Sequence, residues 1–363
     1  MQKNRDIQVL RGIAIALVLL QHCRNRLPTP QAYHALFDHV AFWPGVDIFF
    51  AISGFLIFQT FTRTMQGTDG RAEALGTFLA RRLRRLFPAS LFWVLASVAV
   101  AAVVTTAPYG DPGKILLSGV AALVALSNLY YVMCLPDVAA CGNPDFNGVT
   151  WSLSAEWQLY LLLATSMLFL GRRKAVIALL VLAAIMSAFD APSWSALWAF
   201  RVQAFALGAL TALLAERSQG LGFGRFTSVA LLVAGVCMAI AAPAQLPQPF
   251  VLPAIALGAW ACLLSATGGN NFSSILTAPI HWIGERSYSI YLCHLLVLLL
   301  AREILTRAGM MEATPLHVLA GFGLALPVIA LLGDASYRFI ELRFIRPRAV
   351  EPGAPRAQET EAS

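Results

Sequence analysis

Long apolar stretches, separated by short polar or turn-forming clusters, run along almost the whole chain. Eleven stretches of about 16–25 residues are long enough to form buried or membrane-spanning helices. They fall near residues 7–27, 42–61, 86–107, 114–133, 151–170, 175–190, 196–216, 226–243, 250–267, 287–305 and 316–340. Clusters of proline, glycine and asparagine separate several of them, for example at 28–30 and 142–148. The pattern predicts an all-α bundle of many helices.

Composition places these stretches in a membrane. Of the 363 residues, 58% are hydrophobic and 12% are charged, whereas soluble domains typically carry about 25% charged residues. We predict one integral-membrane domain over residues 1–346 and a disordered cytoplasmic tail over 347–363. The first stretch lacks a small-residue cleavage site and is expected to be retained rather than removed as a signal peptide. The net charge of +7 is explained by arginines and lysines that set topology, so no nucleic-acid partner is predicted.

The distribution of lysine and arginine favours ten crossings over eleven. If the N-terminus is inside and all eleven stretches cross, 11 of these residues lie inside and 14 outside, with Arg11 left in the membrane. If stretch four (114–133) or five (151–170) does not cross, the numbers become 19 and 6. We therefore predict about ten transmembrane helices, one re-entrant or surface segment and two cytoplasmic termini. Stretch four is the favoured irregular segment, and we expect it to shape the active site.

Two ionisable residues stand in the first apolar stretch. Arg11 and His22 are eleven positions apart, which is three helical turns to within about 20°, so they share one helix face about 16 Å apart. Such groups are costly in hydrocarbon unless they face a partner or a water-filled cavity. One helix thus offers a cation near one membrane surface and a titratable imidazole near the other. This arrangement suits a reaction whose two substrates arrive from opposite sides.

Further polar groups cluster at the ends of the second and third stretches. Arg81, Arg82, Arg84 and Arg85 can bind phosphate oxygens through their guanidinium groups. A positive-inside anchor explains the same cluster, and better when the cluster is taken alone. Asp47 lies about five residues into the second stretch, where a carboxylate needs a partner. A histidine partner and a structural ion pair are equally favoured.

Two helix faces carry regular polar stripes. Ser152, Glu156 and Tyr160 recur at i, i+4 and i+8 and are expected to face the bundle interior. Interhelical hydrogen bonding explains the serine and the tyrosine, but it explains the glutamate poorly. Tyr291 and His294 also align with Ser287 on one face; for His294, a core histidine satisfied by a neighbouring hydroxyl is the favoured role.

The cysteines and loop histidines indicate no metal site. The histidines at 34 and 39 match no standard ligand spacing, and no CxxC motif is present. Cys134 and Cys141 flank the loop after stretch four. They form a disulfide if that loop is extracytoplasmic, and two buried free thiols are an equal alternative.

Five short motifs, in matching order over residues 5 to 346, resemble the acyltransferase-3 family of bacterial integral-membrane acyltransferases. The motifs are Arg11 with His22, Gly45-Val46-Asp47 with Ser53-Gly54-Phe55, Arg81 to Pro88, Trp151-Ser152-Leu153 with Glu156, and Ser287 to Leu292 with His294. Where the family has a Glu-x-Pro ending, this chain has Glu341-Leu342-Arg343, so no role is assigned to Glu341.

The resemblance implies an O-acyltransferase of the bacterial inner membrane, active in polysaccharide modification such as carbohydrate O-acetylation. Cytoplasmic acyl-CoA, with acetyl-CoA favoured, would be a donor substrate rather than a bound cofactor, and Arg11 with the Arg81–Arg85 cluster would bind its phosphates. The acceptor would be a hydroxyl of a carbohydrate or glycolipid, with a separate extracytoplasmic acyl-accepting protein as another partner. His22, polarised by Asp47 or Glu156, would act as general base or as a transient acyl carrier.

Two alternatives remain at this point. A glycan or lipid transporter or flippase also fits ten spans with polar intramembrane residues, although neither an internal repeat nor a Walker motif is found. A non-catalytic glycan-binding relative is the weaker alternative, because Arg11 and His22 are both intact.

Overall fold

A computed structural model describes residues 4–104, 110–134, 137–217, 221–272 and 274–345. Within these ranges the secondary structure is helical, and no strand occurs. The α-helices in chain order are α1 (Arg5–Cys23), α2 (Gln31–Leu36), α3 (Gly45–Gln66), α4 (Arg71–Val103), α5 (Pro112–Leu123), α6 (Ser127–Met133), α7 (Pro144–Asn147), α8 (Thr150–Leu170), α9 (Arg172–Met186), α10 (Ala196–Ala199), α11 (Gln203–Arg217), α12 (Arg225–Gln245), α13 (Val251–Ser265), α14 (Ala278–Glu285), α15 (Ser287–Arg307), α16 (Pro315–Ser336) and α17 (Leu342–Ile345). A π-helical turn, Tyr337–Glu341, joins the last two. The prediction of a disordered tail over 347–363 lies outside the described residues.

The predicted all-α membrane bundle is confirmed. Eight helices of the described chain are long and apolar enough to cross a membrane, counting α10 with α11 and α16 with α17 as single spans. Stretches six and nine form α9 and α13, each of 15 residues. At 1.5 Å per residue each covers about 22 Å, which is shorter than the roughly 30 Å of a bilayer core. The number of ten crossings therefore stays a prediction.

Stretch four is broken into two short helices, as expected for the irregular segment. Helix α5 ends at Leu123 and α6 begins at Ser127, with Ala125 between them at φ 59°, a left-handed conformation that is uncommon for alanine. The Gln158 side chain of α8 donates a hydrogen bond to the Ala125 carbonyl (2.8 Å) and so holds the break. Stretch four does not line the central cavity described below, so its predicted role in shaping the site is indirect.

Close helix contacts at glycine fix the part of the bundle that carries the site. A Cβ atom on Gly54 of α3 would lie 2.0 Å from the Phe205 carbonyl oxygen of α11, and one on Gly208 of α11 would lie 2.1 Å from the Ala51 carbonyl oxygen. Small residues allow membrane helices to approach this closely, so α3 and α11 meet backbone to backbone. At the far end of the broken segment, Cys134 and Cys141 are joined by a disulfide, with Cα atoms 5.8 Å apart.

Candidate active site

A cavity of ≈ 90 Å³ lies among α1, α3, α4, α8 and α15. One water needs about 10–15 Å³, so the cavity has room for several waters or for a small acyl group. Its polar lining consists of Arg11, Ser53, Arg82, Arg85, Ser152, Glu156, Tyr160, Ser287, Tyr288 and Tyr291. Eight of the site residues predicted from the sequence are in this lining. Six of these eight lie on the predicted faces of α1, α8 and α15, and the other two come from the arginine cluster of α4.

Arg11 is fixed at one end of the cavity by the first turn of α15. Its Nε donates a hydrogen bond to the Ser287 hydroxyl at 3.1 Å. The close approach of α1 and α14 next to it is enforced by Gly12, where a Cβ atom would lie 2.2 Å from the Ile280 carbonyl oxygen. The guanidinium therefore has a defined position at the cavity wall.

Glu156 faces the cavity from α8 and is held by hydroxyl groups. The Ser53 hydroxyl of α3 and the Tyr160 hydroxyl, one turn further along α8, both donate to Glu156 Oε1. The Tyr160 hydroxyl is also 3.5 Å from Ser53 Oγ. The carboxylate thus has two hydroxyl donors, and the histidine partner considered in the sequence analysis is not among them.

The arginine cluster of α4 divides into two pairs. Arg82 and Arg85 line the cavity, and the Arg82 guanidinium lies 5.6 Å from the centre of the Tyr160 ring. Arg81 and Arg84 are exposed and do not line it, contrary to the prediction that all four share one site. Each residue advances about 100° around the helix, so Arg82 and Arg85 point about 100° away from Arg81 and Arg84. Only Arg82 and Arg85 therefore face inward.

A second, wider cavity adjoins the first at its arginine end. It has a volume of ≈ 650 Å³ and shares Arg11 and Arg85 with the smaller cavity. Its other polar lining residues are Asn4, Gln8, Gln59, Thr62, Arg63, Gln66, Glu216 and Thr267. Arg85 Nε and Thr62 Oγ1 are buried with no hydrogen-bond partner among the described residues. We refer to this space as the vestibule.

His22 meets a second histidine. His22 Nδ1 is 3.0 Å from His294 Nε2, and His294 Nδ1 is 2.8 Å from the Tyr291 carbonyl oxygen. A carbonyl oxygen can only accept, so His294 Nδ1 carries the proton and, in the neutral ring, His294 Nε2 must accept from His22 Nδ1–H. In this arrangement His22 Nε2 is the unprotonated nitrogen. The sequence analysis expected a hydroxyl partner for His294 and a carboxylate partner for His22; the structure pairs the two rings instead.

Tyr291 separates the cavity from the histidine pair. Its ring lines the cavity and lies 5.6 Å from the His294 ring, centre to centre. Its hydroxyl is 2.7 Å from Ser152 Oγ and donates to the Val149 carbonyl (3.1 Å). His22 itself does not line the cavity; Tyr291 and His294 link it to the cavity wall.

Asp47 forms an ion pair with Arg201 rather than with a histidine. Asp47 Oδ2 accepts from Arg201 Nη1 at 2.9 Å, and the two residues are only 3% and 2% exposed. The guanidinium carbon also lies 4.1–4.7 Å from the ring centres of Trp43, Trp151 and Trp198. Of the two alternatives considered for Asp47, a histidine partner and a structural ion pair, the structure shows the ion pair. Trp151, which the family resemblance offered as a supporting site residue through its motif with Ser152 and Glu156, belongs to this aromatic cluster and not to the cavity lining.

The sequence analysis missed three residues near the site. Arg201 stands inside an apolar stretch, and that position was the signal that could have identified it. Asp145 accepts from Arg26 Nε (3.1 Å) and holds it where Arg26 also donates to the His22 carbonyl (3.1 Å). Glu341 is buried and accepts from Ser289, where it joins α15 to the π-helical turn. Among the described residues, no group of three or more histidines, cysteines, aspartates or glutamates is placed to hold a metal ion.

These features define a multi-pass helical membrane protein with a charged internal cavity. The chain matches the model of the acyltransferase-3 family, described as an acyltransferase domain, over residues 4–334. It belongs to this family and is an acyltransferase that moves groups other than aminoacyl groups. Family membership decides between enzyme and transporter in favour of the enzyme.

The chain is similar to three bacterial proteins. It is 30% identical over 309 residues to BcsY of Komagataeibacter xylinus, named as a candidate membrane-bound transacylase, covering 80% of this chain and 72% of that protein. It is 27% identical over 337 residues to YrhL of Bacillus subtilis, named as a candidate peptidoglycan O-acetyltransferase, covering 82% of this chain and 49% of YrhL. It is 27% identical over 200 residues to nodulation protein 10 of Rhizobium leguminosarum biovar viciae, covering 51% and 50%. The chain thus spans about half the length of the last two. No solved structure matches the chain.

Proposed function

We propose that this enzyme transfers a short acyl group from acyl-CoA, with acetyl-CoA favoured, to a hydroxyl of an exported or cell-surface carbohydrate. The donor enters at the arginine end of the cavity and the acceptor at the histidine end. The observation that carries the proposal is a series of adjoining polar groups: the vestibule and the cavity share Arg11 and Arg85, and Tyr291 at the cavity wall contacts His294, the partner of His22. The arginine end faces the cytoplasm of a bacterial inner membrane, with both termini on that side.

The vestibule and the arginine end of the cavity suit the phosphates of acyl-CoA. Guanidinium groups bind phosphate oxygens in a bidentate way, and Arg11, Arg82 and Arg85 converge there. Arg85 Nε is a buried donor without a partner in the described chain. A hydrogen bond from it to a ligand oxygen therefore lowers the free energy of the bound state. The vestibule volume of ≈ 650 Å³ accommodates a nucleotide part, while ≈ 90 Å³ in the cavity limits the acyl group to a small one.

His22 Nε2 is the proton acceptor. It takes the proton of the acceptor hydroxyl while that oxygen attacks the thioester carbonyl; the C–S bond then breaks, and the proton passes to the departing CoA sulfur. His294 fixes the His22 ring through the 3.0 Å contact and stabilises the imidazolium formed in between. Transfer through a covalent acyl-His22 uses the same unprotonated nitrogen. Mass spectrometry of the quenched enzyme distinguishes the two, because only the covalent route adds an acyl mass to the His22 peptide.

Radiolabelled acetyl-CoA tests the proposed donor. The purified protein in lipid nanodiscs is incubated with acetyl-CoA labelled in the acetyl group, and the free thiol is followed together with label in added glycan. We expect thiol release that depends on the protein, and label in the glycan. Absence of thiol release from acetyl-CoA and from longer acyl-CoA donors, by a protein that is folded by thermal unfolding, would overturn the donor assignment.

A further inference from the structure

A third cavity, separate from the site described above, opens among the loops at the His22 end of the bundle. It has a volume of ≈ 240 Å³, and its walls include Trp43, Trp198, Ser193 and Gln248. These residues come from the connections α2–α3, α9–α11 and α12–α13. We refer to it as the loop cavity.

The loop cavity lies on the same face as the catalytic histidine. The side-chain oxygen of Gln21, the residue before His22, accepts hydrogen bonds from the backbone N–H of Phe42 (2.9 Å) and of Trp43 (3.1 Å). The end of α1 that carries His22 is therefore bonded directly to the segment that carries one indole wall of the cavity.

The indole wall is rigid. Trp198 packs on Trp151 with ring centres 4.5 Å apart and lies 5.9 Å from Trp43. The Arg201 guanidinium lies against all three rings and is fixed by Asp47. An aromatic surface that is held in place before binding loses little conformational entropy when a ligand covers it.

The wall also contains polar groups that lack partners. Trp198 is 5% exposed, and its indole N–H has no acceptor among the described residues. Gln248 uses its side-chain oxygen to accept from the Ala191 N–H (3.1 Å), which leaves its amide NH₂ as a donor at the cavity. Buried unpaired donors are rare in folded proteins and indicate an unseen oxygen ligand or water.

We infer that the loop cavity binds one sugar ring of the carbohydrate acceptor, at a distance from the hydroxyl that is acylated. A pyranose ring presents a C–H face that packs on indole, here the half-buried Trp43, and a rim of hydroxyl oxygens that accept from N–H donors, here the Gln248 amide and the edge of Trp198. The inference rests on the proposed function for the acceptor class. It adds a binding site, with Trp43, Trp198 and Gln248 as its contacts.

Binding of soluble oligosaccharides without any acyl donor tests this site. Chitotetraose and cellotetraose are titrated into the nanodisc-embedded protein by isothermal titration calorimetry, and direct contact is followed by saturation-transfer NMR. We expect wild type to bind at least one tetramer, and Trp198→Phe and Trp43→Phe to weaken that binding about tenfold or more. Gln248→Ala, on the half-buried rim, removes the amide donor with little risk to folding and is expected to weaken binding severalfold.

Trp282→Phe is the matched control, because Trp282 belongs to α14 and lies outside the loop cavity. We expect its binding of the tetramers to equal that of wild type. No binding by wild type, unchanged binding in the folded Trp198 and Gln248 variants, or an equal loss in the Trp282 control would each overturn the inference. Because thiol release from acetyl-CoA is a separate measurement, failure of this site and failure of the proposed function are distinguishable.

Discussion

Two pairs of ionisable side chains occur near the His22 end of the bundle, and they are built differently. Asp47 and Arg201 carry opposite charges, lie 2.9 Å apart and are almost fully enclosed, with indole rings against the guanidinium. His22 and His294 are two imidazole rings joined by one hydrogen bond of 3.0 Å, and His22 is only half-buried. In the first pair, the two charges neutralise each other. The second leaves one ring nitrogen of His22 without a proton.

The difference shows that an ionisable group within a membrane span is not sufficient to identify a catalytic residue. The Asp47 carboxylate is 3% exposed and paired with Arg201, so it is not available to a substrate. A histidine whose other nitrogen is held by a partner keeps one atom for chemistry, as in catalytic groups where a second residue fixes the tautomer. We therefore propose a structural role for Asp47 and a chemical role for His22.

The largest effect is expected on breaking the charged pair. Asp47→Ala leaves Arg201 buried without its counter-ion, which typically costs about 3–5 kcal/mol. We expect loss of folded protein, measured by fluorescence-detected size-exclusion chromatography and by thermal unfolding. The double variant Asp47→Leu/Arg201→Met removes both charges and is expected to recover much of the stability. An Asp47→Ala protein as stable as wild type would contradict the structural role of the Asp47–Arg201 pair.

Removing the partner of His22 is expected to change turnover rather than folding. His294→Leu should lower kcat roughly 10–100-fold, by analogy with the loss of residues that orient metal-bound histidines. Its effect on the KM for the donor should be small. His294→Gln keeps an acceptor for His22 and a donor for the Tyr291 carbonyl, so it should retain more activity than His294→Leu. If His294→Leu retains more activity than His294→Gln, His294 has only a packing role.

The arginine pairs of α4 repeat the comparison on a single helix. Arg82→Ala should raise the KM for acyl-CoA about tenfold or more, because a hydrogen bond to a charged group contributes about 1.5–3 kcal/mol. The control variants Arg81→Ala and Arg84→Ala remove the same charge from exposed positions. Their KM for acyl-CoA should stay close to that of wild type. Equal effects in all variants would indicate long-range attraction instead of binding in the cavity.

The smallest effect is expected at the hydroxyls around Glu156. Ser53→Ala removes one of the two donors and leaves Tyr160 in place, so a change in kcat/KM of about 2–10-fold follows from roughly 0.5–1.5 kcal/mol per hydrogen bond. Steady-state kinetics with acetyl-CoA measure it. A loss as large as that of a catalytic residue would show that Ser53 contacts substrate.

Local periodicity predicted most of the cavity from the sequence. The eleven-residue spacing of Arg11 and His22 and the four-residue spacing of the α8 stripe each point to one helix face, and the structure confirms that these residues contact α15 or line the cavity. The same period, applied to α4, would have separated Arg82 and Arg85 from their exposed neighbours. Charge counting left stretches four and five as alternatives for the irregular segment, and the structure breaks stretch four into two short helices.

Partners across long sequence distances could not be predicted in this way. Asp47 and Arg201 are 154 positions apart, and His22 and His294 are 272 apart, so no helical period relates them. Which ionisable residue meets which other is decided by the packing of α1, α3, α11 and α15, which depends on close contacts such as those at Gly54 and Gly208. The aromatic cover of Arg201 has the same origin, because its three tryptophans come from separate parts of the chain.

The central claim is that His22 Nε2 accepts a proton during transfer, and single-turnover kinetics of His22→Gln in nanodiscs test it most directly. Glutamine can keep a hydrogen bond to His294 but cannot take up a proton in this role. We predict a fall in the rate of acyl transfer of about 10²–10⁴-fold, with donor affinity and thermal unfolding close to those of wild type. A folded His22→Gln enzyme that transfers the acyl group within a few-fold of the wild-type rate would contradict the claim.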